Sequence, residues 1–214
     1  MAWRVEQDSL SAMTILVENP ETGELTDPRE LPRTIRALLQ GHPQVRSVHE
    51  LGKLRLPGGE VSIADTHQLH KQPLVRSVPR RQHPVTLLCG DDPTEVGAVV
   101  IRFGEGEVAT VERALNTFPY DEDDRLRLQG KHCAVFDYRT VRNLHEPERE
   151  RISALLVLGD EQPGALIAIP GLSRPWNVLV FRPALDGDTF YSMWWALDGE
   201  GSPLALVIDC ALFA

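Results

Sequence analysis

The last third of the chain constrains the fold most, because it holds many apolar runs with little room between them. Residues 152–158, 164–169, 177–182, 189–197 and 204–209 are apolar or alternating. Only GDEQPG, PGLSRPW, PALDGD and DGEGSP separate them. A parallel pair needs a crossover of about a dozen residues or more, whereas a short turn suffices for antiparallel neighbours. The spacing therefore predicts a series of antiparallel strands.

The rest of the chain extends the pattern. Residues 84–89, 96–103 and 107–115 are further strand candidates, with the turns GDDPTE and GEGE between them. That spacing predicts a β-meander. Leu54 and Leu56 alternate with Lys53 and Arg55, Pro57-Gly58-Gly59 supplies turn chemistry, and Val61 and Ile63 alternate again. A hairpin is expected there. The segment from Thr66 to Arg81 contains Pro73 and Pro79 and is expected to be a loop or an edge segment. Two helices are expected. One starts near Leu31, places Ile35, Leu38 and Leu39 on one face, and stops at Gly41 and Pro43. For the other, Asp137 stands as an N-cap after a strand at 132–136, with Tyr138, Val141 and Leu144 three apart. HEPERER (145–151) is charged and expected to be exposed. The expected fold is α+β, predominantly antiparallel β in a meander or sandwich-like sheet, with one or two short helices. Residues 1–43 are expected to form a strand–helix extension, with the strand at 13–18. Residues 44–214 form the β-rich domain, and the two make one compact unit.

Charge narrows the functional classes. The 214 residues carry 22 basic and 31 acidic side chains, a formal charge of −9, and 42% are hydrophobic. The apolar share suits a globular chain. The acidity argues against a general nucleic-acid binder, which needs a basic footprint. The charge is uneven: residues 71–81 (KQPLVRSVPRR) are basic without acidic side chains, while Asp91-Asp92 and residues 121–124 are acidic. No apolar run reaches the roughly 18–20 residues of a bilayer span. The N-terminus lacks a basic stretch followed by an apolar one. A soluble, cytoplasmic protein without membrane contact is expected. Cys89, Cys133 and Cys210 are widely spaced with no Cys-x-x-Cys pair, and are expected to be buried thiols.

Four features could carry chemistry. Asp65, His67 and His70 are metal-competent side chains just after a strand, but short clusters of this kind arise often without a metal, and a polar loop whose aspartate caps a turn is the favoured reading. Asp186-Gly187-Asp188 could contribute to a calcium loop, but the remaining ligands of such a loop are absent, and the dipeptide suits a strand connection. In Phe190–Leu197, Tyr191, Met193 and Trp195 alternate with Ser192, Trp194 and Ala196, so both faces carry a large aromatic. Either the strand is covered on both sides, or one face is an aromatic contact surface. Tyr191, Trp194, Trp195 and the preceding Asp188 are the candidate binding residues. The acidic runs are solvated faces or a surface for a basic partner. No nucleophile elbow, P-loop, dinucleotide turn or HExxH pair occurs.

Several segments in order suggest a family. LRLPGGEVSIAD (54–65), VRSVPRRQHPVTLL (75–88), GAVVIRF, VATVERAL, HCAVFD (132–137) and GDTFYSMWWALDGEGSPLALVIDC (187–210) resemble the bacterial domain-of-unknown-function 4241 family. The likeness spans roughly residues 50–210 and is most specific through Gly187, Asp188, Tyr191, Trp195, Asp198, Gly201 and Asp209. Thr66, Thr189, Ala196 and Cys210 depart from the family pattern. The resemblance implies a β-rich fold and brings no established activity, so no catalytic residue is carried over.

Two functional classes fit. One is a non-catalytic binding protein with a protein partner and no cofactor; its specific form is an immunity protein that neutralises a basic toxin. The alternative is a metal-assisted hydrolase whose site is dispersed in sequence, drawing on Asp65, His67, His70, Asp186 and Asp188.

Overall fold

The computed structural model describes residues 17–18, 25–26, 35, 38–39, 41, 44–69, 72–117, 126–128, 130–170, 176–184 and 189–210. The chain divides into two compact units, residues 1–42 and 43–214. In the first, β1 (Val17–Glu18) pairs antiparallel with β2 (Leu25–Thr26). Ile35, Leu38 and Leu39 are helical, and Ile35 and Leu38 are buried. The other residues of the expected strand at 13–18 and of the helix lie outside the described residues.

The second unit is built from two antiparallel sheets. One has the strand order β11 (Gly164–Ile169), β12 (Trp176–Phe181), β10 (Cys133–Asp137), β4 (Glu60–Asp65), β5 (Pro73–Ser77). The other runs β3 (Ser47–Arg55), β6 (Gln82–Cys89), β7 (Val96–Arg102), β14 (Pro203–Asp209), β13 (Thr189–Leu197), β8 (Thr110–Arg113), and β9 (Leu126–Leu128) also pairs with β13. With the short helices α1 (Tyr138–Val141) and α2 (Glu146–Leu155), this is a predominantly antiparallel α+β fold.

Period-two alternation sorts the side chains into two cores. Cys133 and Val135 of β10, Leu179 and Phe181 of β12, and Val61 and Ile63 of β4 face the seven-stranded sheet. There they meet Val85, Leu87, Val99, Ile101, Leu206 and Ile208. Ala134, Phe136, Val178, Val180 and Ala64 point the other way, onto Val141 of α1 and Ile152 of α2. The five-stranded sheet is thus covered on both faces.

Three expectations fail for tertiary reasons. Pro57-Gly58-Gly59 does make a turn, with Gly59 N–H donating to Leu56 O at 3.1 Å and Gly59 at φ +73°. It does not join a hairpin. Arg55 is opposite Gln82 in one sheet, and Glu60 is opposite Ser77 in the other. β3–β4 and β5–β6 are two bent, mutually paired ribbons, and the turn is the corner at which the chain changes sheet. The expected strand at 152–158 begins instead as the end of α2. Glu148 accepts from His145 N–H at 2.9 Å and Pro147 lies in the first turn, so the charged HEPERER segment starts a helix. Ile152 and Leu156, one helical turn apart, are buried, while Leu155 and Val157 are exposed. The expected meander also stops at β7, because the β13–β14 hairpin is inserted between β7 and β8.

The sheets meet at both flanks. The segment after β8 docks on β5, with Val75 N–H donating to Leu115 O and Thr117 N–H to Pro73 O, both at 2.9 Å. Opposite, the Asn177 carboxamide of β12 reaches β3, accepting from Arg55 N–H at 2.8 Å and donating to Lys53 O at 3.0 Å. A side chain there stands in for a neighbouring strand and occupies edge groups that would otherwise be open.

Candidate functional site

β4 and β10 are antiparallel neighbours, and each ends on a fully buried aspartate. A buried carboxylate must be hydrogen-bonded, and both of these accept from glycine amides of distant loops. Asp137 Oδ2 accepts from Gly58 N–H at 2.7 Å and Gly59 N–H at 3.1 Å. Its Oδ1 caps α1, accepting from Thr140 N–H at 2.9 Å and the Thr140 hydroxyl at 3.1 Å. A Cβ on Gly58 would lie 2.6 Å from Asp137 Oδ1 and 2.5 Å from Arg139 Cβ, so the docked turn has no room for a side chain. At the other end of the pair, Asp65 Oδ1 accepts from Gly130 N–H at 2.9 Å.

The metal candidates fare accordingly. Asp65 is buried and holds a backbone loop, and His67 is exposed. Both border Gly130: a Cβ there would sit 3.1 Å from Asp65 Oδ1 and 3.2 Å from His67 Cε1. His70, Asp186 and Asp188 lie outside the described residues. Among the described residues, no group of three His, Cys, Asp or Glu side chains is arranged to hold a metal ion.

The aromatic strand is covered on both sides. Tyr191 and Trp195 are 2% and 1% exposed and sit in the core between the sheets, so they present no surface to a partner. The physical reason is that Tyr191, Met193 and Trp195 share the face of β13 that packs into the core between the sheets, on a strand paired with β9 at Tyr191 and with β14 and β8 at Trp195. Trp194 points to the opposite face and is also buried.

Surface charge is partly consumed by the fold. Asp91 pairs with Arg46 at 3.2 Å. Asp92 accepts from the Thr94 hydroxyl and amide, which hold its carboxyl below the usual range. In the basic segment, Arg76 pairs with Glu112 and donates to Gly201 O, and Arg81 donates to Phe103 O. The acidic run 121–124 lies outside the described residues.

Burial disfavours the charged forms of the three thiols and of His83. Burial pushes the Cys133 and Cys210 thiols well up and Cys89 up, which leaves little thiolate for nucleophilic chemistry. His83 is 1% exposed; its Nε2 donates to Pro79 O at 2.7 Å, and its ring meets Phe103 edge-on at 4.8 Å. Burial, reinforced by the Arg81 charge, lowers its pKa from the ordinary 6.5, against the Pro79 bond. The folded state therefore binds its proton more weakly than the unfolded state. Stability from this group is fully present above 6.5 and is lost as pH falls through the lower folded-state value. Urea titrations between about pH 7 and pH 5 should show a smaller loss of stability for His83→Gln than for the parent chain.

One cleft of about 440 Å³ opens where the sheets meet at Asn177. Arg55 contributes a cation, while Leu166, Ile169 and Pro170 supply apolar wall. Trp176, 3% exposed, also lines it, and its indole N–H has no hydrogen-bond partner. Sequence reading missed this cleft because Arg55 and Asn177 are 122 positions apart.

Comparison with known protein families found no matching family model, and comparisons with curated proteins and with solved structures found no match. No helix among the described residues is long and apolar enough to cross a membrane.

Proposed function

We propose that this chain is a non-catalytic, cytoplasmic binding protein that neutralises a basic protein partner in the manner of an immunity protein, and that it is a bacterial member of the domain-of-unknown-function 4241 family. The observation that carries the reading is the state of Asp65. Of the five residues that the alternative of a metal-assisted hydrolase draws on, Asp65 is buried with its Oδ1 accepting from the Gly130 amide, a role in holding the fold. The net charge of −9 supports a partner of opposite sign, because complementary charge speeds encounter and selects partners. The hydrolase alternative keeps one supporting observation, the approach of Asp65 and His67 to the same glycine.

Capture of the tagged chain from native-host lysate at low salt tests the proposal. A single basic protein should be recovered in stoichiometric amount and released as salt is raised, because screening weakens exposed charge pairs. Recovery of no stoichiometric protein would overturn it.

A further inference from the structure

We infer that the cleft between Arg55 and Trp176 binds a small organic carboxylate carrying an apolar body. The inference does not depend on the protein-partner reading. Three observations converge on it. First, the guanidinium of Arg55 has no acceptor among the described residues, although its backbone N–H is bound by Asn177 at 2.8 Å. A half-buried arginine without an internal partner is a ready carboxylate ligand, since its donors form charge-assisted bonds with a planar anion.

Second, Trp176 borders the cleft while its side chain packs with Val178 and Val180, which places a buried aromatic beside the bound molecule as a reporter of occupancy. Third, Leu166, Ile169 and Pro170 give the cleft an apolar wall. A volume of about 440 Å³ lies in the range of small-molecule sites, which combine such walls with a few polar anchors. The anion would take the Arg55 end and the apolar body the Leu166–Pro170 wall. The Asn177 carboxamide, already bound on both sides to β3, keeps Arg55 and β12 in fixed register.

The test uses the full chain labelled with ¹⁵N, and 3-phenylpropionate with its neutral amide as probes. The chain has four tryptophans, and Trp176→Phe identifies the indole N–H signal of Trp176. Titration with the acid should move that signal saturably, and the amide should bind much more weakly. Arg55→Gln should weaken binding of the acid about tenfold or more, the loss of one charge-assisted contact. Arg55 is in no ion pair among the described residues, so this variant keeps the test valid if Trp176→Phe fails to fold. An unmoved Trp176 signal at saturating acid, equal affinity for acid and amide, or unchanged affinity in Arg55→Gln would each overturn the inference.

Discussion

Replacing Asp137 by alanine is expected to destabilise the 43–214 unit by about 3–5 kcal/mol, from buried donors left without an acceptor at about 1–3 kcal/mol each and a lost helix cap at about 1 kcal/mol. The carboxylate accepts four hydrogen bonds, from Gly58, Gly59 and twice from Thr140. Alanine leaves the Gly58 amide and both Thr140 donors without this acceptor and leaves Gly59 N–H only its bond to Leu56 O, so the corner that carries the chain between sheets loses its anchor. It also removes the N-cap of α1. In a unit of this size each kcal/mol moves the midpoint by roughly 2–4 °C, so the melting temperature should fall by about 10 °C or more. Asp137→Asn retains one acceptor oxygen but places an NH₂ group among amide donors, so its loss should be intermediate. Thermal unfolding followed by circular dichroism checks both. A drop of under about 1 kcal/mol for the alanine variant would contradict the role of this carboxylate.

Trp195→Ala is expected to cost about 3–5 kcal/mol, as for other large aromatics removed from a packed core. The side chain is 1% exposed, lies between the sheets, and its ring centroid is 5.8 Å from that of Phe103. Trp195→Phe should cost far less, because the indole N–H has no partner to lose and most of the apolar volume is retained. Urea midpoints at constant slope separate the two outcomes. Near-equal stability of the alanine variant and the parent chain would return Trp195 to the list of surface contact residues.

Elements whose instructions are local could be read from the sequence. The alternation in β10 and β12 follows the pleat, and Asp137 followed by Tyr138 and Val141 specifies a cap and a short helix, which ends before Leu144. Where two distant segments decide the outcome, local pattern fails. Pro57-Gly58-Gly59 has the chemistry of a hairpin turn, yet its flanks are claimed by β6 on one side and by β10 and β5 on the other. The run at 152–158 carries apolar residues that suit either period, and the upstream Pro147 and Glu148 decide it for helix. β7 and β8 are kept apart by a hairpin from the far end of the chain. The site followed the same rule. Asp65 stood out for its neighbours His67 and His70, whereas its actual partner, Gly130, is 65 positions away. Tyr191 and Trp195 stood out as aromatic, and only the packing of their face of β13 against the other sheet places them inside.

Native mass spectrometry of the chain captured from its host cells weighs both functional classes at once. A non-catalytic partner-binding function predicts a mass equal to the chain plus one basic protein, with no metal adduct and with dissociation at high salt. A chain recovered free of any protein partner, carrying one divalent metal that Asp65→Asn abolishes, would contradict it.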